Sequence, residues 1–337
     1  MYDCNLHKAA KDYKKIIKVI YSQMKYVDLH CDSLTESLKK GESLQSGGLQ
    51  ATYEKLKKSG CAAQCFAIFT QGEDAARFFD QSLNYYGNIL QTSENKLMPI
   101  TCAKELESCI NGDALGSILT VENLGFIGRD LSKLKDIAAA NVKMASLVWN
   151  FENELARPNL IFKGGFPQFE KREGRGLTDL GRQAVEILDE LKIIIDISHL
   201  SDGGADEILK GRKTPIVASH SNAQAVCNVS RNLSDGQIKN IANCGGVIGV
   251  NFCKDFLGEG STFERLFDHI CHLINTGGDD IIALGSDFDG IPAPPDLQDC
   301  TSMPALFEYL HKRGLSQTIL EKLAYKNFLR VFAEVCG

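Results

Sequence analysis

A (β/α)₈ barrel of the TIM type is the fold class that the sequence predicts. Short apolar, β-branched runs recur along the 337 residues, stretches with helical spacing separate them, and eight such runs can be counted. Alternating strands and helices fold as parallel strands joined by right-handed crossovers, and eight strands are the number that closes such a barrel. A doubly wound open sheet is the alternative that this alternation leaves open.

The eight predicted strands are short runs that are rich in apolar and β-branched residues. They are Tyr26–Asp32, Ala62–Thr70, Gly116–Glu122, Lys143–Trp149, Ile193–His199, Pro215–His220, Gly246–Phe252 and Ile281–Asp287. Helical spacing is clearest in four intervening segments, the second of which begins at a Thr that can cap it. These are Asp74–Gln91, Thr178–Leu191, Ser234–Ala242 and Thr262–Thr276.

One domain over residues 26–337 is the simplest organisation, because the sequence has no repeat, no low-complexity tract and no long flexible linker. The segments Lys163–Gly176 and Gly290–Asp299 are predicted to be long loops of the barrel. Residues 1–25 are predicted to be a helical or mobile extension. A short amphipathic helix would suit Lys14, Lys15, Ile16, Ile17 and Ile20, and Met24 could equally be the natural start.

Net charge, apolar runs and cysteine positions limit the partners and the cellular compartment that we expect for the protein. The net charge is -6 and the 37 basic residues are scattered, which argues against a nucleic-acid partner. Residues 1–23 lack the apolar core of a signal peptide, and no apolar run reaches membrane-spanning length. Cys61, Cys65 and Cys253 lie in apolar runs, as buried free thiols do. We therefore expect a cytoplasmic protein with no membrane association.

Polar residues that bind metals or transfer protons end five of the predicted strands. In a (β/α)₈ barrel the carboxyl ends of all strands meet at one mouth, where active sites are found. Residues far apart in sequence would therefore come together there. They are His30 with Asp32, Glu122, His199, His220 and Asp287.

His30 and Asp32 are two residues apart on the first strand, so both side chains point to the same face. This spacing predicts a pair of metal ligands. Cys31 lies between them and points to the opposite face, where a buried core thiol is expected. The remaining histidines, which are predicted to be structural, are His7, His269, His272 and His311.

Imidazole and carboxylate ligands without a thiolate suit hydrolytic Zn²⁺ better than Mn²⁺ or Fe²⁺. Three histidines and two carboxylates exceed what one ion needs, whereas two zinc ions about 3.5–4 Å apart and bridged by Glu122 would use them all. Such a pair could lower the pKa of a bridging water, so that a metal-bridging hydroxide attacks a carbonyl. The sequence thus favours a barrel of the metal-dependent hydrolase type.

Two further residues are candidates for catalysis and substrate binding. Asp287 could accept the proton of the attacking water and return it to the leaving amine. Asp289, two residues later, is expected only to shape the turn. Arg231 could hold a substrate carboxylate in a bidentate pair, although a surface ion pair is nearly as good an interpretation of its position.

Six motifs in order resemble the membrane dipeptidase (renal dipeptidase) family of the amidohydrolase superfamily, and the resemblance runs from Tyr26 to the C-terminus. The motifs are Val27-Asp28-Leu29-His30-Cys31-Asp32, Val121-Glu122-Asn123, Ile197-Ser198-His199, Ser219-His220-Ser221-Asn222, Arg231-Asn232 and Gly285-Ser286-Asp287-Phe288-Asp289-Gly290. The resemblance implies a zinc-dependent dipeptidase with a dinuclear centre.

The resemblance also implies how the residues divide between the metals. His30, Asp32 and Glu122 would hold one zinc, and Glu122, His199 and His220 the other. Asp287 would lie near the water, and Arg231 on the C-terminal carboxylate of the substrate. Other amidohydrolases bridge their metals with a carboxylated lysine at a strand end, but Lys143 is predicted at the beginning of its strand.

One position departs from the family. Its animal members carry a substrate-contacting histidine after the fourth strand, where this sequence has Trp149, followed by Asn150 as a candidate replacement donor. Animal members are also secreted and lipid-anchored, whereas this sequence looks like that of a cytoplasmic bacterial relative. The resemblance implies a homodimer. Two alternatives stay open: a hydrolase of N-acyl amino acids or small cyclic amides with the same metals, and a non-catalytic barrel that contains metal.

Overall fold

Eight parallel strands close into a barrel in the computed structural model of the protein, which describes residues 24–91, 97–163, 166–168 and 174–337. Strands in the described residues are β1 (Tyr26–Cys31), β2 (Cys61–Phe69), β3 (Leu97–Pro99), β4 (Leu115–Glu122), β5 (Met144–Ser146), β6 (Ile161–Lys163), β7 (Phe166–Gln168), β8 (Ile194–Asp196), β9 (Val217–Ala218), β10 (Val247–Val250) and β11 (Ile282–Leu284). The barrel consists of β1, β2, β4, β5, β8, β9, β10 and β11.

Barrel closure is set by the pairing of β2 with β4, which runs in parallel register from Ala63 opposite Gly116 to Phe69 opposite Glu122. The remaining neighbours follow the order β2-β1-β11-β10-β9-β8-β5-β4. The predicted (β/α)₈ barrel is therefore confirmed, and the open-sheet alternative is wrong. Strand β3 adds to the side of β4, and β6 and β7 form a separate antiparallel hairpin.

Helices cover the outside of the barrel. In the described residues they are α1 (Ser33–Lys40), α2 (Tyr53–Ser59), α3 (Ala75–Gln91), α4 (Ala103–Asn111), α5 (Lys133–Ala139), α6 (Asp179–Glu190), α7 (Asp202–Leu209), α8 (Asp235–Asn243), α9 (Lys254–Leu257), α10 (Thr262–Gly277), α11 (Met303–Lys312), α12 (Gln317–Glu321) and α13 (Asn327–Cys336). Short 3₁₀ helices cover Leu124–Ile127 and Cys300–Ser302, and a π-helical turn covers Lys322–Lys326.

Each helix predicted from the sequence is present to within one residue at either end. Three begin at a hydroxyl cap: Thr178 accepts from the backbone N–H of Gly181, Ser261 accepts from the backbone N–H of Glu264, and Ser234 forms a capping box with Gln237. None of the helices in the described ranges is long and apolar enough to cross a membrane. The proposed amphipathic helix near the N-terminus lies outside the described residues, and the one-domain organisation stays a prediction.

Several strands end earlier than the sequence predicts. Strands β5, β8, β9 and β11 each stop two to three residues before the predicted end. The reason is local for two of them, because His199 and Asp287 have positive φ angles of 68° and 65°, which a strand cannot accommodate. The polar residues predicted at these strand ends therefore lie in the first turn of the following loop, still at the mouth of the barrel.

Two other local predictions need correction. The sequence predicts one long loop over Lys163–Gly176, but Lys163 and Phe166–Gln168 lie in the paired strands β6 and β7, with Lys163 opposite Phe166. The short strand β3 was not expected, because three residues are too few to show a period. The segment Gly290–Asp299 is irregular, as predicted.

Candidate metal centre

The five predicted metal ligands and Asp287 lie together at the mouth of the barrel. They come from β1, from the last residue of β4, and from the loops after β8, β9 and β11. All six side chains are buried, the most exposed being Asp287 at 8%. The set is His30, Asp32, Glu122, His199, His220 and Asp287.

One half of the site is built around His30. Its Nε2 atom lies 3.5 Å from Asp32 Oδ2, 3.5 Å from Glu122 Oε2 and 3.8 Å from Asp287 Oδ1. Cys31, between the two ligands of β1, is buried in the hydrophobic core, and burial raises its pKa well above the usual value. It is therefore a protonated core thiol.

The other half of the site is built around the second oxygen of Glu122. Oε1 lies 2.9 Å from His199 Nε2 and 3.7 Å from His220 Nε2, and these two nitrogens are 2.9 Å apart. Glu122 thus directs one carboxylate oxygen to His30 and the other to the pair of loop histidines. This is the arrangement that a bridging ligand between two metal ions requires.

Buried polar atoms without a hydrogen-bond partner indicate whether the site is suited to a metal ion. His30 Nε2 and Asp32 Oδ1 are buried and have no hydrogen-bond partner among the described residues, which is costly for a polar group unless an ion binds there. Two groups of three residues bring their ligand atoms within 4.8 Å of one another: His30 with Glu122 and His220, and His30 with Asp32 and Asp287. The donors are nitrogen and oxygen, as zinc prefers.

Asp287 belongs to the same cluster as His30 and Asp32, at the mouth of the barrel where the sequence predicts it. Its Oδ2 accepts a hydrogen bond of 3.0 Å from Asn251 Nδ2, which leaves Oδ1 facing His30.

Burial and charge set the protonation of the cluster. Burial raises the pKa of Glu122 to about 7, although His30 opposes the shift, and burial also raises the pKa of Asp287. Burial, with the positive charge of Arg231 and His30, holds the pKa values of His199 and His220 well below the usual value. The two loop histidines are therefore neutral at pH 7, the state in which imidazole binds a metal.

His30 differs from the other two histidines. Burial alone would lower its pKa, but the carboxylates of Glu122 and Asp32 outweigh burial and hold the pKa well above the usual value. The carboxylates thus retain one positive charge among them. A bound metal cation would satisfy the same requirement.

Buried hydrogen bonds fix two of the ligands from behind. His220 Nδ1 lies 2.7 Å from Ser219 Oγ, which donates to Asp196 Oδ2 at 2.5 Å. Asp28 accepts from the backbone N–H of Ser286 at 2.8 Å, which ties β1 to the segment that carries Asp287. Sequence reasoning missed Asp196 and Ser219, although a serine directly before His220 was a visible signal.

Arg231 is 2% exposed, so it cannot form the surface ion pair that was its alternative interpretation. Its Nη2 atom lies 3.2 Å from His199 Nε2, and the guanidinium carbon lies 5.1 Å from the centre of the Phe256 ring. Nε and Nη1 have no hydrogen-bond partner among the described residues. A buried guanidinium with free donors beside the ligands is suited to binding an anion.

Asp289 shapes the loop, as predicted. Its carboxylate accepts from the backbone N–H groups of Gln50 at 2.7 Å and Ala51 at 3.2 Å, and from Ser33 Oγ at 2.5 Å. These bonds anchor the loop after β11 to the beginning of α1.

A cavity of about 330 Å³ opens over the cluster. Arg231, Trp149 and Asn150 line it, and the cluster contributes Asp32, Glu122, His199 and Asp287. The Trp149 ring packs edge-on against Phe69 at a centroid distance of 4.8 Å. Asn150 Oδ1 lies 2.8 Å from His199 Nδ1. The cavity thus combines the metal-type cluster, a guanidinium and an aromatic wall, and its volume suits a small molecule.

Comparison with known proteins identifies the family of the chain. The family model described as "Membrane dipeptidase (Peptidase family M19)" matches residues 14–336. The chain belongs to this family. It is therefore a metallo-dipeptidase, a metal-dependent hydrolase that acts on the peptide bonds of small peptide substrates, and the resemblance seen in its motifs is confirmed.

Individual relatives agree with the family. An uncharacterized protein from the pqqA 5′ region of Klebsiella pneumoniae is 33% identical over 261 residues, which cover 76% of this chain and 95% of that protein. An uncharacterized dipeptidase of Schizosaccharomyces pombe is 30% identical over 245 residues, which cover 71% of this chain and 58% of that protein.

Solved structures show the same barrel. A metallo peptidase of family M19 named dipeptidase AC superposes with a TM-score of 0.84 at 27% identity, covering 94% of this chain and 99% of that chain. A metallo peptidase from Rhodobacter sphaeroides, liganded with a phosphinate mimic of the dipeptide L-Ala-D-Ala, superposes with a TM-score of 0.82 at 26% identity. The superposition covers 93% of this chain and 99% of that chain.

Gly290 is a further site residue that sequence reasoning missed. A Cβ atom at this position would lie 2.2 Å from Asp32 Oδ2 and 2.5 Å from Asp287 Oδ1. The cluster therefore needs a residue without a side chain here, since any other residue would push the two carboxylates out of place.

We expect Gly290→Ala to weaken metal binding by at least about 100-fold, the upper end of what loss of a supporting partner costs. Competition with a chelator measures the affinity, and far-UV circular dichroism checks the fold. Gly87→Ala is the matched control, because a Cβ there meets nothing within 4 Å. Unchanged affinity in Gly290→Ala would show that the carboxylates it contacts do not bind metal.

Proposed function

We propose that the protein is a dipeptidase with two zinc ions bridged by Glu122. The observation that carries the proposal is the division of the Glu122 carboxylate, with Oε2 3.5 Å from His30 and Oε1 2.9 Å from His199. His30 and Asp32 would complete one metal site, and His199 and His220 the other. When bound, such a pair supplies Lewis acidity: it polarises the substrate carbonyl and makes hydroxide available near neutral pH.

Arg231 would bind the C-terminal carboxylate of the dipeptide. Its Nε and Nη1 donors are buried without a partner among the described residues, and its guanidinium carbon lies 5.1 Å from the centre of the Phe256 ring. A carboxylate that enters the cavity beside Arg231 would accept charge-assisted hydrogen bonds from this side chain. This anchor would place the preceding amide bond over the metal-type cluster.

Asp287 would carry the proton. Asn251 holds its Oδ2, while Oδ1 faces the cluster, and burial raises its pKa above the usual value. A carboxylate with a raised pKa both accepts a proton from attacking water and returns it to the leaving amine. Glu122 would contribute as the bridging ligand.

Trp149 and Asn150 would contact the substrate, since both line the cavity. The indole of Trp149 lies where animal members of the family have a histidine, so it would pack against a substrate side chain instead of donating to the reacting carbonyl. The liganded Rhodobacter sphaeroides protein makes dipeptides with a D-residue at the C-terminal position reasonable substrates to test. The homodimer and the cytoplasmic location stay predictions.

Metal content and a substrate panel test the proposal together. We expect about two zinc ions per chain by elemental analysis, with loss of dipeptide hydrolysis on chelation and recovery on adding zinc back. His199→Ala and His220→Ala should each lose one ion, whereas His272→Ala, a control bonded to Asp235 on α8, should keep both.

The panel contains L,L- and L,D-dipeptides, N-acyl amino acids and small cyclic amides. Faster turnover of N-acyl amino acids or cyclic amides than of any dipeptide would favour the alternative hydrolase. Two ions with no hydrolysis of any compound would favour the non-catalytic barrel.

Asp287→Asn should keep both metals but lower kcat by about 10²–10⁴-fold, the usual contribution of a positioned acid and base. The amide preserves the shape of the side chain and cannot carry the proton. Steady-state kinetics and elemental analysis of the same sample give both readouts. Asp255→Asn, at an exposed position, is the matched control, and near-normal turnover in Asp287→Asn would remove this residue from the mechanism.

Arg231→Lys should raise KM for dipeptides by about tenfold or more, because a charge-assisted hydrogen bond contributes about 1.5–3 kcal/mol and Lys cannot form the bidentate pair. The same change should have little effect on a dipeptide amide, which lacks the carboxylate. Arg129→Lys, at an exposed position, is the control. Equal losses with both substrates would place the guanidinium elsewhere in the mechanism.

A further inference from the structure

The contact between Asn150 and His199 has a geometry that suits a metal ligand and its support. Asn150 Oδ1 lies 2.8 Å from His199 Nδ1, and His199 Nε2 lies on the opposite edge of the ring, 2.9 Å from Glu122 Oε1. A neutral imidazole carries one proton on its two nitrogens. Because an amide oxygen only accepts, it places that proton on Nδ1 and leaves the lone pair of Nε2 free toward the cluster.

His199 needs support of this kind more than the other histidines do. It follows β8 in a loop and has a φ angle of 68°, a conformation that costs free energy for a residue with a Cβ. His220 is backed by a different pair, Ser219 and the buried Asp196. Asn150 Oδ1 is the contact that the structure shows for Nδ1 of His199.

The segment that carries Asn150 is itself held beside the cluster. Asn153 Nδ2 donates to the backbone oxygen of Leu147 at 2.8 Å and to Asn123 Oδ1 at 3.0 Å, and Asn123 directly follows Glu122. Trp149 packs against Phe69 on the other side. The amide of Asn150 is therefore placed by neighbours on both sides and reaches His199 at a fixed position.

We propose that Asn150 is a positioning residue that fixes the tautomer and the ring orientation of His199 for metal binding. This role differs from the substrate donor expected from the sequence. It rests on the proposed function only in taking His199 as a metal ligand. Hydrogen bonds from metal-binding histidines to a second protein group fix the ligand in this way, and their loss costs about 10–100-fold in metal affinity.

The test measures metal binding and does not depend on turnover. We expect Asn150→Ala to weaken the binding of one of the two ions by about 10–100-fold in competition with a chelator, and to change the visible absorption of the cobalt-substituted protein. Ser219→Ala should do the same through His220. Asn150→Asp, which keeps the acceptor oxygen, should retain wild-type affinity.

Controls distinguish the support of His199 by Asn150 from a contact of Asn150 with the substrate, and from misfolding. Asn228→Ala, at an exposed position, should leave metal affinity unchanged. Circular dichroism checks that each variant folds. If Asn150→Ala does not fold, the metal affinities of Asn150→Asp and Asn150→Leu are compared instead. Wild-type metal affinity and cobalt spectrum in Asn150→Ala, with only KM raised, would overturn the proposal. Metal affinity and the cobalt spectrum test the role of Asn150 even if the wild-type protein hydrolyses no dipeptide. Failure of the proposed dipeptidase function can therefore be distinguished from failure of the proposed role of Asn150.

Discussion

Three buried carboxylates converge on one imidazole nitrogen, and the mouth of the barrel depends on this concentration of negative charge. Asp32, Glu122 and Asp287 all lie within 3.8 Å of His30 Nε2. Like charges this close repel strongly in a medium that water does not screen. The arrangement is therefore stable only with positive charge in its centre, from a protonated His30 or from bound cations, and the protein supplies the nitrogen and oxygen atoms that cations prefer.

Hydrogen bonds below the mouth of the barrel hold together the segments that carry the cluster, and they make the site rigid. Asp28 joins β1 to Ser286, and Asp196 joins β8 to Ser219. Each of these aspartates is buried and accepts several hydrogen bonds from the neighbouring strand end or loop. The same chemical device thus occurs on two sides of the barrel, and it leaves little freedom for the histidines to move away from the cluster.

The sequence predicts which residues meet in the cluster because a barrel brings its strand ends together, so polar residues after apolar runs identify the mouth. It does not reveal where each strand stops, since the backbone leaves the sheet at His199 and Asp287 through positive φ angles that composition does not show. Gly290 was overlooked because its importance lies in the space beside two carboxylates. The contact of Asn150 with His199 was not predicted because it crosses 49 residues of sequence.

The shared carboxylate of Glu122 has a consequence for how the site fills. Because one group faces both halves of the cluster, charge placed on one half changes the energy of the other, and such coupling is reciprocal. If both halves bind metal as proposed, their occupancy would be cooperative or anticooperative, and a single dissociation constant would not describe it. A cell that supplies little metal would then hold a mixture of chains whose proportions depend on this coupling as much as on the affinity of either half.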